Sequence, residues 1–261
     1  MPSLNSVVGL TRIGFAARGI MYLIIGYLAL RSGRTEDGAG ALDALSEGSG
    51  AVLLWVMAAG FFAYGFWRLS EAWVDSEGHG SDAKGKVARF GGAISGLVHF
   101  GLGYLAIKLA SGSGGGGGDG ARSGAAKALE LPLGEIALFI VAAGLFATGA
   151  VQLVKAAKAD FLHQLAPEAA GQTWVKWMGR AGYAARGLIF LMMAWFLFQA
   201  GLNSDPGEAG GMAAALDSFP GTARKAVAAG LLLFGLFSLV EARFRRINDP
   251  RVLDRLKAAA S

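Results

Sequence analysis

The chain has 261 residues, of which 54% are hydrophobic, 16% are charged and 41 are glycine, with no cysteine and a formal net charge of +5. A soluble domain carries about 25% charged residues, so this deficit excludes an ordinary soluble globule. The missing cysteine excludes disulfides, thiolate nucleophiles and Cys-based metal sites. In chain order, six apolar stretches reach the ~20 residues that cross a bilayer, over about 13–30, 51–70, 90–110, 134–154, 181–200 and 226–242. The first runs into Ala29-Leu30-Arg31 without a small-x-small cleavage site, and the fifth repeats its pattern deep in the chain, so it reads as a retained span rather than a signal peptide. With the N-terminus, the second and fourth loops and the C-terminus on one side, that side holds 17 of the 24 Lys and Arg and the other holds 7. The positive-inside rule then predicts that both termini are cytoplasmic.

The spans repeat as pairs. Odd spans align on Gly14, Gly91 and Gly182, with Arg12, Arg89 and Arg180 two residues earlier and Gly19, Gly96 and Gly187 five residues later. Tyr27, Tyr104 and Trp195 stand thirteen residues later. Even spans share Ala-Ala-Gly, ending at Gly60, Gly144 and Gly230, each followed at five residues by Gly65, Gly149 or Gly235. Between the spans, Ala44-Leu45, Ala128-Leu129 and Ala215-Leu216 precede Gly50, Gly134 and Gly221. A loop motif repeated with the spans predicts three tandem copies of one helical hairpin, over 12–74, 89–160 and 180–243, with a basic cytoplasmic tail over 244–261. The predicted fold is an all-α membrane protein, six transmembrane helices forming three hairpins in a pseudo-threefold bundle. Two spans per repeat give every copy one orientation, which excludes inverted repeats.

This combination of Arg, AARG, an outer Ala-Leu segment and AAG with a WRLSEA-type ending (residues 67–72) resembles the bacterial domain-of-unknown-function family numbered 1206. The resemblance runs from about Arg12 to Arg243. It implies a transmembrane helix pair occurring three times in a bacterial inner (plasma) membrane, multi-pass, and it implies no activity. The middle copy departs from the pattern, with Ser95 in place of the arginine and Lys155 in place of the glutamate.

Arg18 and Arg186 fall inside apolar runs. One reading is snorkelling, the side chain leaning along its helix toward water or phosphate. The other is an ion pair within the hairpin, Arg18 with Glu71 and Arg186 with Glu241, which the joint change to Ser95 and Lys155 in the middle copy favours. Lys155 then lacks a partner in its own hairpin and reaches toward a neighbouring repeat. Arg18, Glu71, Ser95, Lys155, Arg186 and Glu241 form a candidate ring for ion pairing or for binding an anionic solute or headgroup. Gly19, Gly96, Gly187, Gly60, Gly144 and Gly230 are candidate helix-packing positions.

His99 replaces Tyr22 and Phe190 of the other copies. An intramembrane histidine is a candidate proton relay, and the plainer reading is a neutral ring bonded to a backbone carbonyl. Trp67, Trp73, Trp174 and Trp177 are expected at the inner boundary and Trp55 and Trp195 in packing. SGSGGGGGDG, residues 111–120, reads as a flexible linker and lacks the Lys-Ser/Thr ending of a phosphate loop. No catalytic constellation appears, His79, His99 and His163 have no metal-ligand spacing, and neither cofactor, metal nor nucleic acid is expected. Two functions remain: conduction of a small solute or ion along the axis past the charged ring, or a non-catalytic module that binds lipids or another membrane protein. Expected partners are the bilayer, anionic lipids at the tail, and a membrane protein or a second copy.

Overall fold

The computed structural model describes residues 4–31, 33, 35–46, 50–75, 80–113 and 120–246. Long runs of alanine, leucine and phenylalanine, with none of the six prolines inside a span, continue as helices without interruption. In chain order they are α1 (Leu4–Arg31), α2 (Gly38–Ser46), α3 (Ala51–Val74), α4 (Ala83–Ala110), α5 (Gly120–Leu129), α6 (Gly134–Lys158), α7 (Pro167–Ala170), α8 (Thr173–Leu202), α9 (Met212–Asp217) and α10 (Gly221–Phe244). Six of these, α1, α3, α4, α6, α8 and α10, are long and apolar enough to cross a membrane, and the protein is a multi-pass membrane protein of three repeats. The short α2, α5 and α9 carry the Ala-Leu motifs at the face opposite the termini. The glycine that follows the first two motifs is required by close approach: a Cβ at Gly50 would lie 1.8 Å from the Leu45 carbonyl oxygen, and one at Gly134 would lie 2.1 Å from that of Ala128.

The three copies join through seams between consecutive hairpins, and the joints are alike. The second helix of each copy packs along the first helix of the next: α3 on α4, α6 on α8, and α10 back on α1. The downstream glycines make these seams. Gly19 faces the Gly235 carbonyl at 2.9 Å, Gly96 faces that of Gly65 at 3.0 Å and Gly187 faces that of Gly149 at 3.1 Å, each measured from an ideal Cβ. Leu239, Leu69 and Leu153 fill the equivalent place beside them. Such backbone approach replaces the hydrophobic effect as the cohesive force between helices in lipid.

Within the hairpins the copies differ. In the first, a Cβ at Gly14 would meet the Tyr64 Cβ at 2.7 Å and one at Gly60 would meet the Ala17 methyl at 2.5 Å. The third repeats this, with Gly182 on Phe234 and Gly230 on Ala185. In the middle copy the counterparts Gly91 and Gly144 have nothing within 4 Å, and α4 and α6 share no comparable packing. The sequence supplies a reason: the alanine that receives the AAG glycine, Ala17 or Ala185, is Ile94 here. A branched side chain cannot occupy a gap already tight for a methyl group. The bundle is thus a ring of helices held by three seams and open between α4 and α6, where Ile94, Leu97, Val98, Ile140 and Val141 remain exposed.

The interior elsewhere is filled. Ile25, Leu54, Met57, Phe61, Ala106, Leu231 and Phe234 form one buried apolar cluster with Ala41 and Leu42 of α2 and Ala215 and Leu216 of α9. At the terminal face, the segment before α7 pairs with the chain leaving α10 through Ala166 N–H to the Phe244 carbonyl and Arg246 N–H to that of Gln164, both 2.8 Å. Trp73, Trp174 and Trp177 are exposed as expected of boundary anchors, but Trp67 is buried. Trp55 and Trp195, expected in packing, are instead about half exposed. His79, most of the glycine run (114–119) and the tail beyond Arg246 lie outside the described residues.

Candidate functional site

The arginine inside the first span is a buried hub. Arg18, on the face of α1 that meets α10, donates from Nε to Ser238 Oγ at 3.2 Å, from one Nη to Tyr64 Oη at 2.8 Å and from the other to Glu241 Oε2 at 2.5 Å. Its guanidinium also lies over the rings of Phe15, Tyr64 and Phe234 at 4.5, 5.2 and 5.0 Å. Glu241 spends its other oxygen on Arg245 at 2.9 Å. Arg18 is 6% and Glu241 2% exposed, so snorkelling is not what the side chain does. A charge so enclosed persists only when paired and fully hydrogen-bonded.

The pairing crosses a seam, and this corrects the expectation of pairs inside each hairpin. Arg18 of the first copy takes Glu241 of the third, because the seam glycines turn the two side chains toward each other. The same relation sets Glu71 beside α4, whose Gly92 Cβ position lies 3.7 Å from the Glu71 carboxylate. Ser95 offers no cation there, and Arg68, one turn before Glu71 on α3, binds its Oε2 instead. At the α6–α8 seam the counterparts of Glu241 and Arg18 are Lys155 and Arg186. Two cations therefore stand where the first seam has a cation and a carboxylate. Arg186 is held by the ring faces of Tyr22, Phe190 and Phe234 at 5.3, 5.1 and 4.5 Å. Its Nε is buried without a hydrogen-bond partner. Lys155 Nζ lies 5.9 Å from the centroid of Tyr183.

Residues that sequence reasoning passed over complete the pattern. Ser238, Arg68 and Gln152 occupy one position, eight residues after the AAG glycine, and the Gln152 Oε1 is also buried without a partner. Their shared spacing was the available signal. The aligned Arg89 and Arg180 are clamps: Arg89 donates to the carbonyls of Ala72 and Trp73 at 2.9 and 3.0 Å, and Arg180 to those of Ala156 and Ala157 at 3.0 and 2.5 Å. Each binds carbonyls in the last turn of the preceding membrane-spanning helix, α3 or α6, where the helix itself supplies no donors. His99 Nδ1 sits 2.7 Å from the Ser95 carbonyl, so that nitrogen carries the hydrogen and Nε2 is the acceptor of the neutral ring. Nε2 is buried without a partner, and the ring packs 4.4 Å from Tyr64. The charges of Arg18, Arg186 and Arg68 all act on it. Among the described residues no group of His, Asp and Glu is arranged to hold a metal.

A family model described as Domain of Unknown Function (DUF1206) matches the chain three times, over residues 13–75, 90–159 and 181–245. The chain is also similar to the uncharacterized protein YxxB of Bacillus subtilis (strain 168), 28% identical over 250 residues that cover 91% of this chain and 90% of the relative. No solved structure matches.

Proposed function

The chain belongs to the DUF1206 family, and from that premise we propose that it is a packed, non-conducting membrane module that acts by binding within the bilayer. The observation that carries this reading is the filled interior. Ile25, Phe61, Leu231 and Phe234 on the long helices are fully buried, as are Leu42 of α2 and Leu216 of α9. A conducting axis needs a polar or wettable lining, and apolar side chains packed to this degree exclude water. The charged groups also argue against passage, since Arg18 and Glu241 are tied to each other and to Ser238, Tyr64 and Arg245. The basic asymmetry of the loops supports a bacterial plasma membrane with both termini in the cytoplasm, which sets the charged ring in the inner leaflet.

The test is reconstitution of the full chain into liposomes loaded with potassium chloride and a small fluorescent anion. Release at the protein-free rate is expected. Protein-dependent release that scales with the number of copies per vesicle would overturn the reading.

A further inference from the structure

We infer that the α6–α8 seam, entered sideways through the gap between α4 and α6, is a binding site for one anionic phospholipid whose headgroup carries free hydroxyls. The proposal rests on the binding-module reading and gives it a ligand and an address. It starts from a comparison of two equivalent places in one chain. At the α10–α1 seam Arg18 holds Ser238, Tyr64 and Glu241. At the α6–α8 seam Ser238 becomes Gln152, Tyr64's place is taken by Phe234, and Glu241 becomes Lys155. The arginine has kept its position, Phe234 and Lys155 offer it no acceptor, and its Nε makes no hydrogen bond to the Gln152 oxygen that replaces Ser238. What it meets instead is the faces of Tyr22, Phe190 and Phe234.

The residues of the seam describe their ligand. Arg186 supplies a planar fork of donors that matches two phosphate oxygens, and its buried Nε is without an acceptor. Lys155, three residues before the end of α6, adds a second positive charge. Gln152 offers a buried oxygen without a donor, which a phosphate alone cannot satisfy and a hydroxyl can. His99 of α4, 9% exposed, offers a second such acceptor at Nε2, its ring packed beside Phe61 and Tyr64. Two cations beside two bare acceptors fit a phosphodiester bearing hydroxyls. The route identifies the source. The gap opens to the bilayer and is walled by Ile94, Leu97 and Val98 on α4 and by Ile140 and Val141 on α6, apolar surface suited to acyl chains. A soluble phosphate ester would leave those walls uncovered.

The experiment is native mass spectrometry of the full chain in detergent, titrated with phosphatidylglycerol, with phosphatidic acid, which lacks the glycerol hydroxyls, and with phosphatidylcholine. One phosphatidylglycerol is expected to be retained, about tenfold or more in preference to phosphatidylcholine, the scale of one charge-assisted contact. Arg186→Gln should remove the preference. Gln152→Leu should bring phosphatidylglycerol down to the level of phosphatidic acid. The decisive variant is Lys155→Glu, which rebuilds at this seam the arginine–glutamate pair of the other. It should abolish retention while raising the melting temperature, a combination that misfolding cannot produce. Retention unchanged in Lys155→Glu, or equal retention of phosphatidylcholine, would overturn the site. Displacement of the lipid by millimolar inorganic phosphate would overturn the lipid as its occupant. Liposome release is read separately, so a leaking bundle that still selects phosphatidylglycerol refutes the non-conducting reading and spares this one.

Discussion

Removing Glu241 should take the carboxylate from two arginines at once. Glu241→Leu leaves Arg18, 6% exposed, with Ser238 and Tyr64, and deprives Arg245 of a carboxylate while it keeps Gln164 at 2.8 Å. Breaking a buried ion pair by deleting one partner costs about 3–5 kcal/mol, which in a chain of this size corresponds to roughly 6–20 °C of melting temperature. Arg18→Leu should cost somewhat less, because Arg245 still compensates Glu241. The double variant should fall short of the sum of the two losses by about 0.5–3 kcal/mol, the range for residues in direct contact. Intrinsic tryptophan fluorescence during heating in detergent reads all four proteins of the cycle, at low and high salt. Burial predicts little change between the salts. Additive losses would refute the cross-seam pair. So would a larger coupling in the cycle of Arg18 with Glu71, which the within-hairpin pairing requires.

The packing glycines should separate by copy. Gly60→Ala drives a methyl to 2.5 Å from Ala17 and is expected to lower the melting temperature, whereas Gly144→Ala meets open space and should raise stability by about 0.5–1 kcal/mol through helix propensity. Arg180→Gln removes two donors from the last carbonyls of α6 and should cost about 1–3 kcal/mol, visible as faster amide exchange confined to Ala156–Ala159. For orientation, the chain has no cysteine, so single cysteines report cleanly: one at Ser111 should react with a membrane-impermeant maleimide added to intact cells, and one at Asp160 should react only after lysis.

The long-range order of this fold is written in its glycines. The spacing of Gly14, Gly19, Gly60 and Gly65 with their counterparts predicted three equivalent hairpins, because close helix approach in lipid demands small residues at fixed intervals. What the spacing does not state is which helix each glycine faces. Gly60 turned out to serve its own hairpin and Gly65 the next, so a charge pair assigned by nearness in the chain went to the wrong partner. The joint change to Ser95 and Lys155 looked like the loss of one pair. In the bundle these residues belong to two different seams, one repaired by Arg68 and the other left with Lys155 and Arg186. Only the shared position of Arg68, Gln152 and Ser238 carried that information, and it gains meaning once the seam is known. Ile94 shows the same limit: an isoleucine in an apolar span is unremarkable until its counterparts are seen as the floor beneath a glycine.

The most direct measurement is the helix separation within each hairpin, taken by double electron–electron resonance on spin-labelled cysteine pairs in this cysteine-free chain. Equivalent pairs are Ile20 with Val56, Leu97 with Ile140, and Leu188 with Ala226. The account predicts closely similar distances in the first and third hairpins, where helices pack at about 8–10 Å between axes, and a distance longer by at least ~5 Å, half a helix diameter, in the middle one. Adding Ile94→Ala should shorten the middle distance toward the other two. Three equal distances in the unaltered chain would mean that α4 and α6 are packed, that no side entrance exists, and that the account is wrong.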